Sequence, residues 1–192
     1  MNITMRIGVI IALLTVSLLG MVAMKQWTLN TGTPILLETR PVDPRSLFRG
    51  DYVRLNYVIS DLDLEILRSD DDFQRHERVY VLLQEGERYW TPVSIHHTMP
   101  PRADGQVAIR GTVHYVQNTR WNQETQKTDT VRNLRVRYGI ENYFVPEGKG
   151  RELERRPSNG KVEILIAVDS FGNAGIKAVL LNGEEKYRES LL

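Results

Sequence analysis

A chain of 192 residues with 41% apolar content is long enough to bury one medium core without covalent staples. A formal net charge of +1 argues against a polycationic nucleic-acid binder, so no nucleic-acid partner is expected. The sequence has no cysteine, which excludes thiol catalysis, cysteine-ligated metals and disulfides.

Apolar residues concentrate at the front. Residues 7–24, IGVIIALLTVSLLGMVAM, carry no charge, with Arg6 before them and Lys25 after. That length suits a helix crossing a hydrocarbon core. The rival reading is a cleaved signal peptide. It is disfavoured because no well-placed pair of small residues marks a cut around LLGMVAMKQW, and the run is long for a signal core. The expected organisation is a cytoplasmic N-terminus over 1–6, an uncleaved transmembrane signal anchor over 7–24 and a juxtamembrane linker over 25–34. A β-rich domain then fills 35–192. Arg6 favours an inside N-terminus, which puts the main domain outside the cytoplasmic membrane. Trp27 fits an interfacial anchor as readily as a chance aromatic in a linker.

Beyond the span the pattern turns to period two. PILLETRPV reads as a strand ended by Pro41, and GDYVRLNYVIS as the clearest strand. In the latter, Val53, Leu55, Tyr57 and Ile59 share one face while Arg54 and Asn56 share the other. LDLEILRSDDDF suggests a short helix and an acidic loop. RVYVLLQEGERYWTPVSI suggests a hairpin with Gly86 near its turn. QVAIRGTVHYVQ reads as a long strand with Gly111 as a bulge or bend. NTRWNQETQKTDTVRN reads as loop, LRVRYGIENYFV as a strand broken by Pro146, and EGKGRELERR as a short helix. KVEILIAVDSFGNAGIKAVLLNG reads as a hairpin turning at 171–175. The fold class is therefore mostly β: a transmembrane helix, then an antiparallel β-rich extracytoplasmic domain with one or two short helices.

Two blocks stand out. GDYVRLNY at 50–57 fills the pattern Gly-Asp-Tyr-x-x-Leu-x-Tyr completely, and YGIENYFVPEGKGRELE at 138–154 follows in order. On these blocks the chain resembles the GDYXXLXY proteins, with similarity from about residue 34 to residue 182. The resemblance implies a bacterial membrane-anchored protein partnering multi-pass membrane proteins. It implies no particular activity.

The candidate binding site joins the two blocks. The first supplies Arg49, Gly50, Asp51, Tyr52, Leu55 and Tyr57. The second supplies Tyr138, Gly139, Glu141, Tyr143, Phe144, Glu147, Gly148 and Gly150. Each block mixes glycines, aromatics and carboxylates, as expected where backbones pass closely, so the Gly50–Tyr52 corner should lie against 138–150. Along YGIENYFV, strict alternation would put Gly139, Glu141 and Tyr143 on one face and Tyr138, Ile140, Asn142 and Phe144 on the other. Asp51, Glu141 and Glu147 could form an acid–base or cation-binding cluster. The preferred reading is structural, with Glu141 paired to Arg49 or Arg54.

Other signals are weaker. His96 and His97 are adjacent and point to opposite faces of a strand, so a shared metal is disfavoured, although one of them with His114 and a carboxylate is conceivable. Ser46 lies in no nucleophile motif with a partnered lysine. The RGD tripeptide at 49–51 enters a strand instead of a loop tip, and the RELERR run at 151–156 reads as a solvated face or a docking surface. No catalytic residue, metal or cofactor is assigned, and the oligomeric state is left open. The favoured function is a membrane-anchored binding or accessory protein. The alternative is an envelope hydrolase or metal-dependent enzyme using the motif carboxylates and histidines.

Overall fold

The computed structural model describes residues 3–40, 52–70, 72–122, 127–144 and 161–189. Helix α1 spans Ile3–Thr31. In chain order there follow β1 (Thr33–Glu38), β2 (Tyr52–Arg54), a 3-10 turn (Val58–Ser60), β3 (Asp61–Asp63), β4 (Arg68–Ser69), β5 (Arg78–Gln84) and β6 (Thr91–His96). Next come β7 (Gln106–Asn122), β8 (Lys127–Arg137), β9 (Asn142–Phe144), β10 (Val162–Val168), β11 (Ala174–Leu181) and β12 (Glu184–Arg188). The domain is mostly β, as its period-two patterning implies.

Helix α1 is 29 residues long. At 1.5 Å per residue it reaches about 43 Å, more than the ~30 Å of a hydrocarbon core. Its apolar side chains from Ile3 to Met24 are exposed around the whole circumference, so the helix is long and apolar enough to cross a membrane. It does not stop at residue 24. The expected linker over 25–34 is helix as far as Thr31, and Gly32 alone separates it from β1. The cause is tertiary contact: Thr28 and Leu29 are buried against the β10–β11 hairpin. Thr28 Oγ1 donates to Asp169 Oδ2 at 2.7 Å, and a Cβ on Gly175 would meet Leu29 Cδ2 at 2.8 Å.

Among the described residues two large sheets and a two-stranded one, β2-β9, build the domain. Of the large sheets one is antiparallel, in the order β1-β10-β11-β12; the other has the order β3-β8-β7-β5-β6-β4 and is antiparallel except where β4 runs parallel to β6. A single core draws on both, with Ile35, Leu37, Ile164 and Ile166 from the first and Val79, Val81, Ile109, Leu134 and Val136 from the second. β10 is central and covered on both faces, which explains its nearly continuous apolar sequence. Its exception, Glu163, is buried but held by Arg88 Nη2 at 2.7 Å and by the Tyr89 hydroxyl, pinning the β5–β6 loop to the four-stranded sheet. A second tie runs from Arg110 N–H of β7 to Gly172 O in the β10–β11 turn, at 2.8 Å.

Several local expectations change. Residues 61–69 form β3, a turn and β4 instead of a short helix; among the described residues α1 is the sole α-helix, and EGKGRELERR lies outside them. The polar stretch expected as loop contributes the arms of a long β7–β8 hairpin, because backbone pairing in an extended hairpin does not require apolar side chains. Gly111 is not the bulge. It is paired with Val79, and its missing side chain admits Val136, Arg137 O and Tyr138, the last two at 3.0 and 3.1 Å from where a Cβ would sit. The register shifts fall later, between Val113 and Tyr115 and between Gln117 and Thr119. The β10–β11 hairpin turns through Asp169–Asn173, with the Asp169 carboxylate accepting the N–H groups of Phe171 and Asn173 at 2.9 Å each. Asn182 and Gly183, with φ of 54° and 85°, then turn the chain into β12.

Candidate functional site

The first block is a strand only at its start. β2 covers Tyr52–Arg54, after which Tyr57 makes one bridge to Thr39 and the chain enters the 3-10 turn. The alternation survives in burial even so. Leu55, Tyr57 and Ile59 are 5%, 0% and 2% exposed, whereas Arg54 is exposed and Asn56 half-buried. The apolar residues point into the core because the core, and not a neighbouring strand, sets their direction.

The second block breaks where the sequence suggests a continuous strand. Gly139 adopts φ +80°, a left-handed conformation that glycine supplies at little cost. The Glu141 carboxylate closes the resulting turn, accepting the N–H groups of Tyr138 at 2.5 Å and Gly139 at 3.0 Å. The turn resets the faces: Tyr138, Ile140 and Tyr143 are all buried while Glu141 is half-exposed. The strictly alternating assignment of this segment is therefore corrected. Both Glu141 oxygens accept from backbone, so it is a turn cap and not the partner of Arg54; the other expected partner, Arg49, lies outside the described residues.

The two blocks are brought together. β2 pairs antiparallel with β9, with Tyr52 opposite Phe144, Val53 opposite Tyr143 and Arg54 opposite Asn142. Leu55 N–H extends this pairing to Glu141 O at 2.7 Å. Two tyrosines then cross in opposite directions. Tyr57 donates its hydroxyl to Ile140 O at 2.7 Å, and Tyr138 donates its hydroxyl to Ile59 O at 2.6 Å. Each block thus supplies a buried donor to a backbone carbonyl of the other. Burial, and secondarily the Glu141 charge, holds both phenols well above their ordinary pKa, so both remain donors. Burial also raises the Tyr143 pKa, with a smaller contribution from Glu189. Arg49, Gly50, Asp51, Glu147, Gly148 and Gly150 lie outside the described residues, as do the side chains of Tyr52 and Phe144.

Beside the interlock lies a cleft of about 450 Å³, lined by Arg54, Asn56, His114, Tyr115, Arg135, Arg137 and Glu141 among others. Leu134 and Val136 of β8 face the core, which turns Arg135 and Arg137 outward. On β7 the register shift after Val113 lets the adjacent residues His114 and Tyr115 both reach the outer side. Arg135 is committed: its Nη1 bonds Asp61 Oδ1 at 2.8 Å and its Nη2 bonds Asn56 Oδ1 at 2.7 Å. Arg40 holds the other Asp61 oxygen at 2.7 Å. Arg137 Nη2 donates to His114 Nε2 at 3.1 Å. Partial desolvation, then the charges of Arg137, Arg75 and Arg135, keep the His114 pKa below the usual imidazole value. The cleft is a local concentration of positive charge on a nearly neutral chain.

The histidines do not converge. His96 Nδ1 lies 3.3 Å from Asp70 Oδ1, while His97 Nδ1 lies 2.6 Å from Glu77 Oε1 and its ring is stacked near Phe73. His114 belongs to the arginine cleft. Among the described residues no three His, Asp or Glu side chains group as metal ligands. Sequence reasoning passed over Arg135, Arg137, His114 and Tyr115 as a set. The alternation LRVRY already held the signal for the arginines; the bulge that adds His114 and Tyr115 has none.

The described residues define a mostly β protein, closed in part by two interlocking blocks, that carries one N-terminal helix long and apolar enough to cross a membrane. The family model described as GDYXXLXY protein matches residues 14–179, and the chain belongs to that family. The match begins inside α1, earlier than the motif blocks alone suggest. No curated protein and no solved structure matches the chain.

Proposed function

We propose that this chain is a single-pass protein of the bacterial cytoplasmic membrane, with its N-terminus inside and its β domain in the periplasmic space. There it acts as a docking or accessory protein for a multi-pass membrane partner. One observation carries the reading: the way α1 enters the domain. The helix continues past Met24 for seven more residues to Thr31, about 10 Å. It is then fastened by the buried Thr28–Asp169 bond and by Lys25 Nζ to Glu189 Oε1 at 2.8 Å. A domain seated this way stays close to the bilayer in one pose. That suits recognition of a neighbour in the same membrane better than capture of a diffusing substrate.

The test is amine crosslinking in native membranes followed by solubilisation and co-purification. A discrete adduct with a multi-pass protein is expected. If the chain purifies alone and unmodified after efficient crosslinking, the docking reading fails. Sidedness is checked separately with a cysteine placed at Glu184, since the chain has none of its own. Labelling by an impermeant maleimide once the outer membrane is opened supports the proposed orientation, and protection until the inner membrane is lysed reverses it.

A further inference from the structure

We propose that the cleft between the first motif block and the β7–β8 hairpin is a carboxylate-binding site that takes an acidic segment of a protein partner. This deepens the docking reading and rests on it. The carboxylates of the cleft and its border are already used. Both Glu141 oxygens bind backbone N–H groups, and both Asp61 oxygens bind arginines. Two guanidinium groups remain. Arg54 and Arg137 are exposed, and among the described residues neither has a carboxylate partner. Arginine presents a planar fork that matches a carboxylate with two parallel bonds.

Tyr115 stands beside them, 41% exposed, with its ring centroid 5.6 Å from that of His114. Exposed tyrosine set among arginines is the composition that concentrates binding energy in protein interfaces. A lipid headgroup is the less suitable anion. The motif is reached only after β1 has led away from the helix end over the six residues Thr33–Glu38, about 20 Å of strand.

The test uses the full chain in detergent micelles. Hexaglutamate is titrated calorimetrically, with inorganic phosphate and phosphatidylglycerol vesicles as parallel arms. Hexaglutamate should bind and weaken with added salt. The double substitution Arg54→Glu/Arg137→Glu should lower its affinity about tenfold or more, and Arg54→Gln/Arg137→Gln should lower it less. Both side chains are exposed, so thermal melts of the variants should match the parent and show that folding is intact.

Absence of hexaglutamate binding, or binding that both variants leave unchanged, overturns the proposal. Equal affinity for phosphate overturns carboxylate selection, and binding to vesicles in place of the peptide overturns the protein ligand. The crosslinked partner separates this proposal from the docking reading. If Arg54→Glu/Arg137→Glu still captures the same adduct at the same yield, docking stands and the cleft is not its site.

Discussion

Leu55 is the motif residue whose replacement gives the most readable energetic answer. Its side chain is 5% exposed within the common core, and its N–H is bonded to Glu141 O of the second block. Truncation to Ala removes buried methyl groups and leaves a void next to a backbone hydrogen bond that holds the two blocks in register. A leucine truncation in a packed core costs about 2–5 kcal/mol. In a domain of this size each kcal/mol moves the melting point by about 2–4 °C, so a fall of roughly 4–20 °C is expected. One residue earlier, Arg54 is exposed, and its replacement by Ala should stay within about 0.5 kcal/mol. The assay is thermal unfolding in micelles followed by near-ultraviolet circular dichroism, which reads the β domain while α1 stays in detergent. If Arg54→Ala costs more than Leu55→Ala, the register assigned to the first block is wrong.

Gly111→Ala should destabilise by about 1–3 kcal/mol, because the new methyl meets Val136 on one side and the Arg137 carbonyl on the other; an unchanged melting point would mean that the β7–β8 contact is looser than described. The Asp169 pKa is pushed up by burial, but hydrogen bonds from Asn173, Thr28 and Phe171 outweigh this and set it below the ordinary value. Its contribution is therefore present above the unfolded carboxylate pKa of about 4 and is lost as pH falls through the lower folded value. Asp169→Asn should flatten that part of an acid-stability profile, and an unaltered slope would count against the Thr28–Asp169 junction.

The parts of the fold visible in the sequence were those whose burial leaves a pattern, alternating where one face is buried and nearly continuous where both are. Leu55, Tyr57 and Ile59 could be assigned inward because alternation reports burial even where strand hydrogen bonds stop after Arg54. The β5–β6 and β10–β11 hairpins were visible because their arms are apolar and their turns carry glycine, asparagine or aspartate. Three features were hidden. The continuation of α1 through residues 25–31 depends on where Thr28 and Leu29 land in the folded domain. The outer arms of the β7–β8 hairpin are mostly polar in sequence and give no period-two signal. The reset of faces at Tyr138–Glu141 comes from one left-handed glycine and a carboxylate that caps it, which period-two reading treats as two more strand positions. The proximity of the two blocks was readable from their composition, but its chemistry was not. Crossed tyrosine hydroxyls hold them, and Glu141 caps a backbone turn instead of pairing with Arg54; the alternative partner, Arg49, lies outside the described residues.

That crossed arrangement is the centre of the account, and a double-mutant cycle on Tyr57→Phe and Tyr138→Phe tests it most directly. Each substitution deletes one buried hydroxyl and leaves the carbonyl of Ile140 or Ile59 without its donor, at an expected cost of about 1–3 kcal/mol. The hydroxyls fasten the same pair of segments from opposite sides, so losing one loosens the seat of the other. The double variant should cost less than the sum of the singles by about 0.5 kcal/mol or more. Single losses near zero, or losses that add to within about 0.3 kcal/mol, would contradict the interlock.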